Sequence, residues 1–210
     1  MKPKKDPSED IVDFVVKEYF EANEWKTAYY SPPGGSWSII SFDLRGNTYR
    51  GFSPRDTKRP DLIMYKESQN EIHLFVAESK ETISDFNLEM MKEYTANFSR
   101  YISNMFKDFR HKKEDNRWID WNKGYKIDIK SSICFMGGIT YPKTDWDNEI
   151  IKFENLIKEN NKNNNVMGIV VMTDWKNNNC YIEAVNNKDP ELISFLPNKK
   201  EILINYSTLQ

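Results

Sequence analysis

The sequence predicts an α/β (α+β) fold in which a mixed β-sheet is flanked by helices. Segments with the 3.6-residue periodicity of amphipathic helices alternate along the chain with short apolar runs that are typical of strands. Their order is α, β, β, β, α, β, α, β, β, which indicates a sheet with both parallel and antiparallel pairs. The chain has 210 residues, of which 39% are hydrophobic, so it is long enough to bury a core.

The first helix is predicted over residues 8–25. A serine N-cap precedes Glu9 and Asp10, which place negative charge at the positive end of the helix dipole. At about 100° per residue, the apolar side chains form one broad arc, and Glu18 is the charged residue that falls inside it. Asp13 is predicted to lie outside this arc.

The remaining elements are predicted from apolar runs that polar turns separate. A polar loop of asparagines, residues 160–165, separates two of them. Helices are predicted at Ser84–Phe109 and Asp145–Glu159, and strands or apolar runs at Trp37–Leu44, Thr48–Phe52, Asp61–Tyr65, Ile72–Lys80, Lys126–Ile139, Val166–Thr173, Cys180–Val185 and Ile202–Ile204.

Composition excludes several functional classes. The net charge of −2 argues against a protein that coats nucleic acid non-specifically, although a local basic cleft remains compatible with it. Two cysteines, Cys134 and Cys180, are too few for a disulfide framework or a cysteine zinc site, and both are predicted to be buried thiols. No secretory signal and no apolar run of membrane-spanning length is found, so a cytoplasmic protein without membrane contact is expected.

The residues that carry chemistry lie on a predicted hairpin. If residues 68–71 form its loop, Glu67 pairs with Ile72, and this register places Asp61 directly opposite Glu78. Such side chains have Cβ atoms about 4.5–5.5 Å apart. Two carboxylates at that distance repel each other unless a cation lies between them. Carboxylate oxygens completed by water and phosphate are typical of a Mg²⁺ site.

Lys80 adds a positive charge to this pair. It follows Glu78 by two residues, so both side chains point to the same face of the strand. Beside a metal ion, an ammonium group can stabilise the negative charge of an attacked phosphate. His73 points to the opposite face. His73 and His111 are the only histidines of the sequence, and two isolated histidines predict no zinc site.

This pattern resembles the PD-(D/E)xK nuclease superfamily, which includes most type II restriction endonucleases. The resemblance rests on Pro60-Asp61 followed by Glu78-Ser79-Lys80 on the next strand. It implies a restriction-endonuclease-like αβββαβ core over about residues 8–140 of a single domain, 1–210, in which residues 141–210 add a helix and strands. It also implies that Asp61 and Glu78 are catalytic Mg²⁺ ligands and that Lys80 is the catalytic lysine.

Two further features of the family bear on the first and second helices. Family members often add a carboxylate from the first helix, and Glu18 is the position that fits as a third metal ligand. Some exonuclease branches carry a Gln-x-x-x-Tyr pattern on the helix after the lysine. Here Tyr94 is present, but Met90 occupies the glutamine position.

A basic segment leads into Asp61 and is the predicted DNA-binding region. Phosphate contacts from such groups dominate affinity for a duplex, and arginine can also read guanine in the major groove. Solvated turns are an equally good interpretation of any single residue in this segment. The predicted DNA-binding residues are Arg45, Arg50, Arg55, Lys58 and Arg59.

The sequence therefore favours a Mg²⁺-dependent DNA endonuclease, and within that class a sequence-specific type II restriction endonuclease. Double-stranded DNA is the expected partner, and a homodimer is expected because two-fold symmetry matches a palindromic site. The glycine pairs lack the companions of a P-loop, so no nucleotide cofactor is predicted. The alternatives are a non-catalytic DNA- or protein-binding module on the same fold, and a repair or recombination nuclease.

Overall fold

The fold is described by a computed structural model in which helices and strands alternate along the chain. The described residues are 7–30, 40–42, 48–50, 60–67, 71–96, 110–112, 118–120, 128–141, 145–161, 165–177, 179–185 and 200–202.

Strands form the greater part of the described structure. In chain order they are β1 Lys26–Tyr30, β2 Ile40–Phe42, β3 Thr48–Arg50, β4 Leu62–Glu67, β5 Glu71–Lys80, β6 Arg110–Lys112, β7 Trp118–Asp120, β8 Asp128–Thr140, β9 Val166–Asp174, β10 Asn179–Val185 and β11 Lys200–Ile202.

The central sheet has seven strands in the spatial order β1, β4, β5, β8, β9, β10, β11, and β2–β3 and β6–β7 form two separate two-stranded ladders. Strands β1, β4 and β5 form an antiparallel meander. Strand β8 is parallel to β5, and β9 is parallel to β8, whereas β10 and β11 are antiparallel additions. The three parallel strands all end at one side of the sheet, which we call the carboxyl edge.

Helices cover both faces of this sheet, so its central strands are buried on both sides. Helix α1 packs on one face, the α1 face, and the other helices pack on the opposite face, the α3 face. The helices are α1 Glu9–Glu21, a 3₁₀ helix Ile83–Asp85, α2 over residues 88–96, and α3 Trp146–Asn160.

Alternation along β5 explains how the sheet divides into two cores. Phe75 and Ala77 are buried on the α1 face, and Leu74 and Val76 are buried on the α3 face. Since both faces are covered, the strand reads as a continuous apolar run rather than as alternating apolar and polar residues. From Leu74 to Ala77 the strand is wholly apolar, and it becomes polar again where it reaches the carboxyl edge, at Glu78-Ser79-Lys80.

The predicted mixed sheet flanked by helices is confirmed, and several boundaries differ. Helix α1 ends at Glu21 rather than near Trp25, because Glu24 adopts a left-handed backbone with φ 69°. The backbone N–H of Trp25 then donates to the carbonyl of Phe20 at 3.1 Å, which is the hydrogen bond of a Schellman-type helix end. This turn directs the chain into β1.

Strand β1 was not predicted from the sequence. Its pairing with β4 contains an irregularity between Thr27 and Tyr29, and such a bulge breaks the two-residue alternation by which strands are recognised. The short ladder of β6 and β7 was not predicted either. The long helix expected from Ser84 begins instead with the 3₁₀ turn, and α2 follows from residue 88.

Two smaller expectations concern cysteines and membranes. Cys134 and Cys180 are free and buried, as predicted. Among the described residues, no helix combines the length and the apolar character that crossing a membrane requires.

Candidate functional site

The candidate site lies at the carboxyl edge, where β5 ends in Glu78-Ser79-Lys80. The alternation of the strand sends Glu78 and Lys80 towards the α3 face and Ser79 towards the α1 face. Ser79 is fully buried, whereas Glu78 and Lys80 are partly exposed. The end of this strand therefore presents charged side chains to solvent and a hydroxyl to the interior.

Asp61 joins this strand end through the register of the hairpin. The predicted pairing of Glu67 with Ile72 is confirmed, and Leu62 pairs with Ala77, so Asp61 lies opposite Glu78. The backbone N–H of Asp61 donates to the carbonyl of Ala77 at 2.9 Å. Its carboxylate oxygen Oδ2 accepts hydrogen bonds from the backbone N–H of Ser79 at 2.8 Å and from the Ser79 hydroxyl at 3.2 Å.

Glu78 and Lys80 form a charged pair that α2 supports. The ammonium of Lys80 donates to Oε1 of Glu78 at 2.9 Å, and to the carbonyl of Ser79 at 2.6 Å. The hydroxyl of Tyr94, a buried residue of α2, donates to Oε2 of Glu78 at 2.7 Å. A carboxylate of Glu9 lies 3.8 Å from the same ammonium. The structure thus brings Asp61, Glu78 and Lys80 together, as expected.

Asp13 is a site residue that the sequence analysis assigned to the wrong side of α1. Its side chain is only 3% exposed, and its oxygen Oδ1 is buried without a hydrogen-bond partner. The carboxylate of Asp61 is close enough to raise the pKa of Asp13, and Ser79 lies within hydrogen-bonding reach of both. Helix α1 therefore contributes a carboxylate to the site, but from an unexpected position.

The expectation that Glu18 occupies the apolar arc and supplies this carboxylate is corrected by the structure. The side chain of Glu18 is 47% exposed, and its carboxylate pairs with Lys17 at 3.0 Å. Chain direction explains the difference. Strand β1 runs in the same direction as β5, so the helix before it begins at the carboxyl edge and leads away from it. Glu18 lies about 7.5 Å further along the helix axis than Asp13.

Two buried acids, Asp13 and Asp61, carry raised pKa values. Burial, followed by the charge of Asp61, raises the pKa of Asp13 to about 8. Burial, followed by the charge of Glu78, raises the pKa of Asp61 to about 7, against the opposing hydrogen bonds from Ser79. Burial alone lowers the pKa of Lys80, but the carboxylates of Glu78 and Glu9 outweigh it, so the net shift is upward.

The chemistry of these donors fits a hard divalent cation. Within the described ranges, no group of three or more His, Cys, Asp or Glu side chains is close enough to hold an ion by itself. Mg²⁺ usually takes one or two carboxylates and completes its shell with water and substrate phosphate, which matches a site built on Asp61 and Glu78. The unpartnered Oδ1 of Asp13 is a further oxygen that a nearby cation or its water would satisfy.

The predicted DNA-binding residues are not brought to the site by the described structure. Arg45, Arg55, Lys58 and Arg59 lie outside the described residues. Arg50 ends β3, where its backbone pairs with Ile40.

Two site residues escaped assignment from the sequence. Asp13 was overlooked because β1 was not predicted. The direction of β1 is the signal that would have shown that α1 begins at the carboxyl edge. Tyr94 was noticed for its spacing from Met90, but its contact with Glu78 depends on how α2 crosses the sheet, which the sequence does not encode locally.

Comparison of this chain with family models, with curated proteins and with solved structures finds no match.

Proposed function

We propose that this protein is a Mg²⁺-dependent DNA endonuclease of the PD-(D/E)xK type. The observation that carries this proposal is the connected cluster of Asp61, Glu78 and Lys80 at the end of β5, beside the buried carboxylate of Asp13. An arrangement of adjacent acids with one ammonium is costly in a partly buried site, and hydrolysis of a phosphodiester has a use for each member.

The order of the elements supports the same proposal. Helix α1, strands β1, β4 and β5, helix α2 and strand β8 follow the order helix, three strands, helix, strand. The first three of these strands form a meander, and the fourth lies parallel to β5. The two small ladders are insertions into this order, after β1 and after α2.

Each side chain has a role in the proposed reaction. Asp61 and Glu78 would hold Mg²⁺. Asp13 would supply the third carboxylate, which the sequence analysis expected from Glu18. When bound, the ion polarises the phosphate and lowers the pKa of a water molecule. Lys80, held in place by Glu78, stabilises the negative charge that develops on the attacked phosphate. Tyr94 fixes the second oxygen of Glu78.

Within this class we favour a sequence-specific type II restriction endonuclease that acts in the cytoplasm on double-stranded DNA as a homodimer. Two-fold symmetry would present one cluster to each strand of a palindromic site. A repair or recombination nuclease and a non-catalytic binding module are the competing functions, and the experiment that follows separates all three.

The test is incubation of the purified protein with phage DNA in Mg²⁺ or in EDTA, followed by gel electrophoresis. Asp61→Asn and Lys80→Met should each abolish cleavage, because they remove a metal ligand and the charge-stabilising group while nearly preserving side-chain volume. Lys158→Met is the matched control, since Lys158 is an exposed residue of α3 that pairs with Glu154. It should cut at the wild-type rate.

The pattern of products distinguishes the candidates. Discrete Mg²⁺-dependent bands support a restriction endonuclease, and a smear keeps the nuclease but excludes the restriction role. Intact DNA at all salt and metal concentrations, including with branched and single-stranded substrates, would leave the binding module. Cleavage by Lys80→Met at the wild-type rate would show that the site is assigned wrongly.

A further inference from the structure

Ser79 continues a row of buried residues on the α1 face of β5 that is apolar up to Ala77. The two preceding residues on the same face of β5, Phe75 and Ala77, are fully buried against α1, and Ser79 is itself 0% exposed. An alanine would fill nearly the same space. A hydroxyl in such a position costs free energy unless it is hydrogen-bonded, so its partners indicate what it does.

Both donors of Ser79 are directed at one atom. The backbone N–H and the hydroxyl donate to Oδ2 of Asp61, at 2.8 Å and 3.2 Å. Two donors on one oxygen fix the rotation of the carboxylate group, and they withdraw Oδ2 from other partners. The carboxylate of Asp61 is then left with its other oxygen, Oδ1, as the atom that can bind a cation.

We propose that Ser79 is a positioning residue that locks Asp61 as a one-oxygen metal ligand, with Oδ1 as the binding atom. This inference rests on the proposed metal-dependent function and extends it to a residue that touches neither metal nor substrate. Hydrogen bonds that orient a ligand typically contribute 10- to 100-fold, as an order of magnitude, to metal affinity or activity.

The position of Ser79 also explains why this role falls to the middle residue of the Glu-x-Lys segment. Glu78 and Lys80 point to the α3 face, so the residue between them points to the α1 face. The buried side chain of Asp13, on α1, lies within hydrogen-bonding reach of Ser79 on that face. One hydroxyl thus lies between a carboxylate of the helix and a carboxylate of the hairpin, and it holds the hairpin carboxylate in place.

The test measures metal binding directly, by calorimetric titration with Mn²⁺, together with the Mg²⁺ dependence of cleavage. Ser79→Ala should raise the Kd for Mn²⁺ and the half-saturating Mg²⁺ concentration about 10-fold or more. At saturating Mg²⁺ its kcat should lie within about threefold of wild type, since the chemical groups are intact. Ser79→Thr, which keeps a hydroxyl, should bind Mn²⁺ with about the wild-type affinity, whereas Ser79→Cys, whose thiol is a weak donor, should not.

Ser132→Ala is the matched control. Ser132 is a buried serine of β8 that pairs with Phe75, four residues and about 13 Å before Ser79 along the strand direction. It should leave the Kd for Mn²⁺ unchanged. Thermal unfolding of each variant shows that it is folded before titration.

The outcomes separate this inference from the function on which it rests. If wild type binds Mn²⁺ and Ser79→Ala binds it equally well, Ser79 does not position the ligand, and the nuclease proposal is untouched. If wild type neither binds Mn²⁺ nor cuts DNA, both proposals fail together. A loss of affinity in Ser79→Ala and Ser79→Cys, with recovery in Ser79→Thr, supports the positioning role.

Discussion

The two candidate carboxylates of α1 differ in the properties that decide whether a residue can act on a bound ion. Asp13 is buried beside Asp61, whereas Glu18 is exposed and paired with Lys17. Asp13→Asn should therefore lower the rate of DNA cleavage about 100-fold, and Glu18→Gln should change it less than about twofold. Single-turnover cleavage at saturating Mg²⁺ measures both variants.

Asn is nearly isosteric with Asp, and Gln with Glu. The two substitutions therefore compare the loss of a charge at two positions of one helix, with little change in packing. Thermal unfolding serves as the control for both. A larger loss of cleavage in Glu18→Gln than in Asp13→Asn would return the ligand role to Glu18 and contradict the assignment made from burial.

The hydroxyl of Tyr94 can be separated from its ring by substitution. The ring packs edge-on against Phe135 with centroids 6.0 Å apart, and only the hydroxyl reaches Glu78. Tyr94→Phe keeps the packing and frees Oε2 of Glu78, so we expect cleavage to fall about 10-fold with a stability loss of about 1 kcal/mol. An unchanged cleavage rate would mean that Lys80 alone orients Glu78.

The hairpin could be predicted from the sequence in detail, and the rest of the site could not. Its register follows from a short loop and alternation, which are local, so Asp61 and Glu78 were placed opposite each other correctly. The position of Asp13 depends on the path of α1 over the sheet. That path follows from the direction of β1. The bulge in β1 breaks the two-residue alternation, so the strand is not recognised from the sequence. The site was therefore predictable where the contacts are close in sequence.

At the scale of the element, α1 matters because it carries Asp13 to the carboxyl edge, and one aromatic residue anchors its far end. Phe20 is fully buried, with its ring centroid 4.4 Å from that of Phe75 and 5.2 Å from that of Trp25. Phe20→Ala should lower the free energy of unfolding by about 3–5 kcal/mol, because it leaves a cavity between α1 and the sheet. Urea unfolding measures this change.

Ile151→Ala is the control for that substitution, since Ile151 of α3 is 52% exposed. It should cost less than about 0.5 kcal/mol. Equal costs for the two substitutions would mean that α1 is not anchored through Phe20. A loosened α1 should also weaken cleavage, because Asp13 moves with the helix while Glu78 and Lys80 stay on β5.

At the scale of the whole molecule, both faces of the sheet contribute residues to the site. The α1 face supplies Asp13 and Ser79, and the α3 face supplies Tyr94 beneath Glu78. The hairpin alone brings Asp61, Glu78 and Lys80 together, and Asp13 and Tyr94 join them when α1 and α2 pack on the two faces of the sheet. Ionisation of Asp13 and Asp61 is thereby linked to the packing of α1 against the hairpin.

This linkage predicts how stability depends on pH without metal. Asp13 and Asp61 have pKa values of about 8 and about 7 in the folded protein, raised by burial and by neighbouring acids, against about 3.9 when unfolded. Glu9, Asp10 and Glu78 add negative charge around them, and Lys80 opposes it. Between the unfolded and folded values, the folded state holds protons that the unfolded state releases. The free energy of unfolding in EDTA should therefore fall as pH rises from about 4 to about 8.

Denaturant unfolding in EDTA across that range tests the slope, which is at most about 1.4 kcal/mol per pH unit for each group. Asp13→Asn should flatten the profile, because an amide does not titrate, and it should be more stable than wild type near pH 8. Mg²⁺ should restore the stability of wild type at high pH, since it binds the ionised acids of the folded state only. If wild type and Asp13→Asn lose stability in parallel, or Mg²⁺ acts equally on both at every pH, the buried acids are not the groups that couple metal, protons and folding.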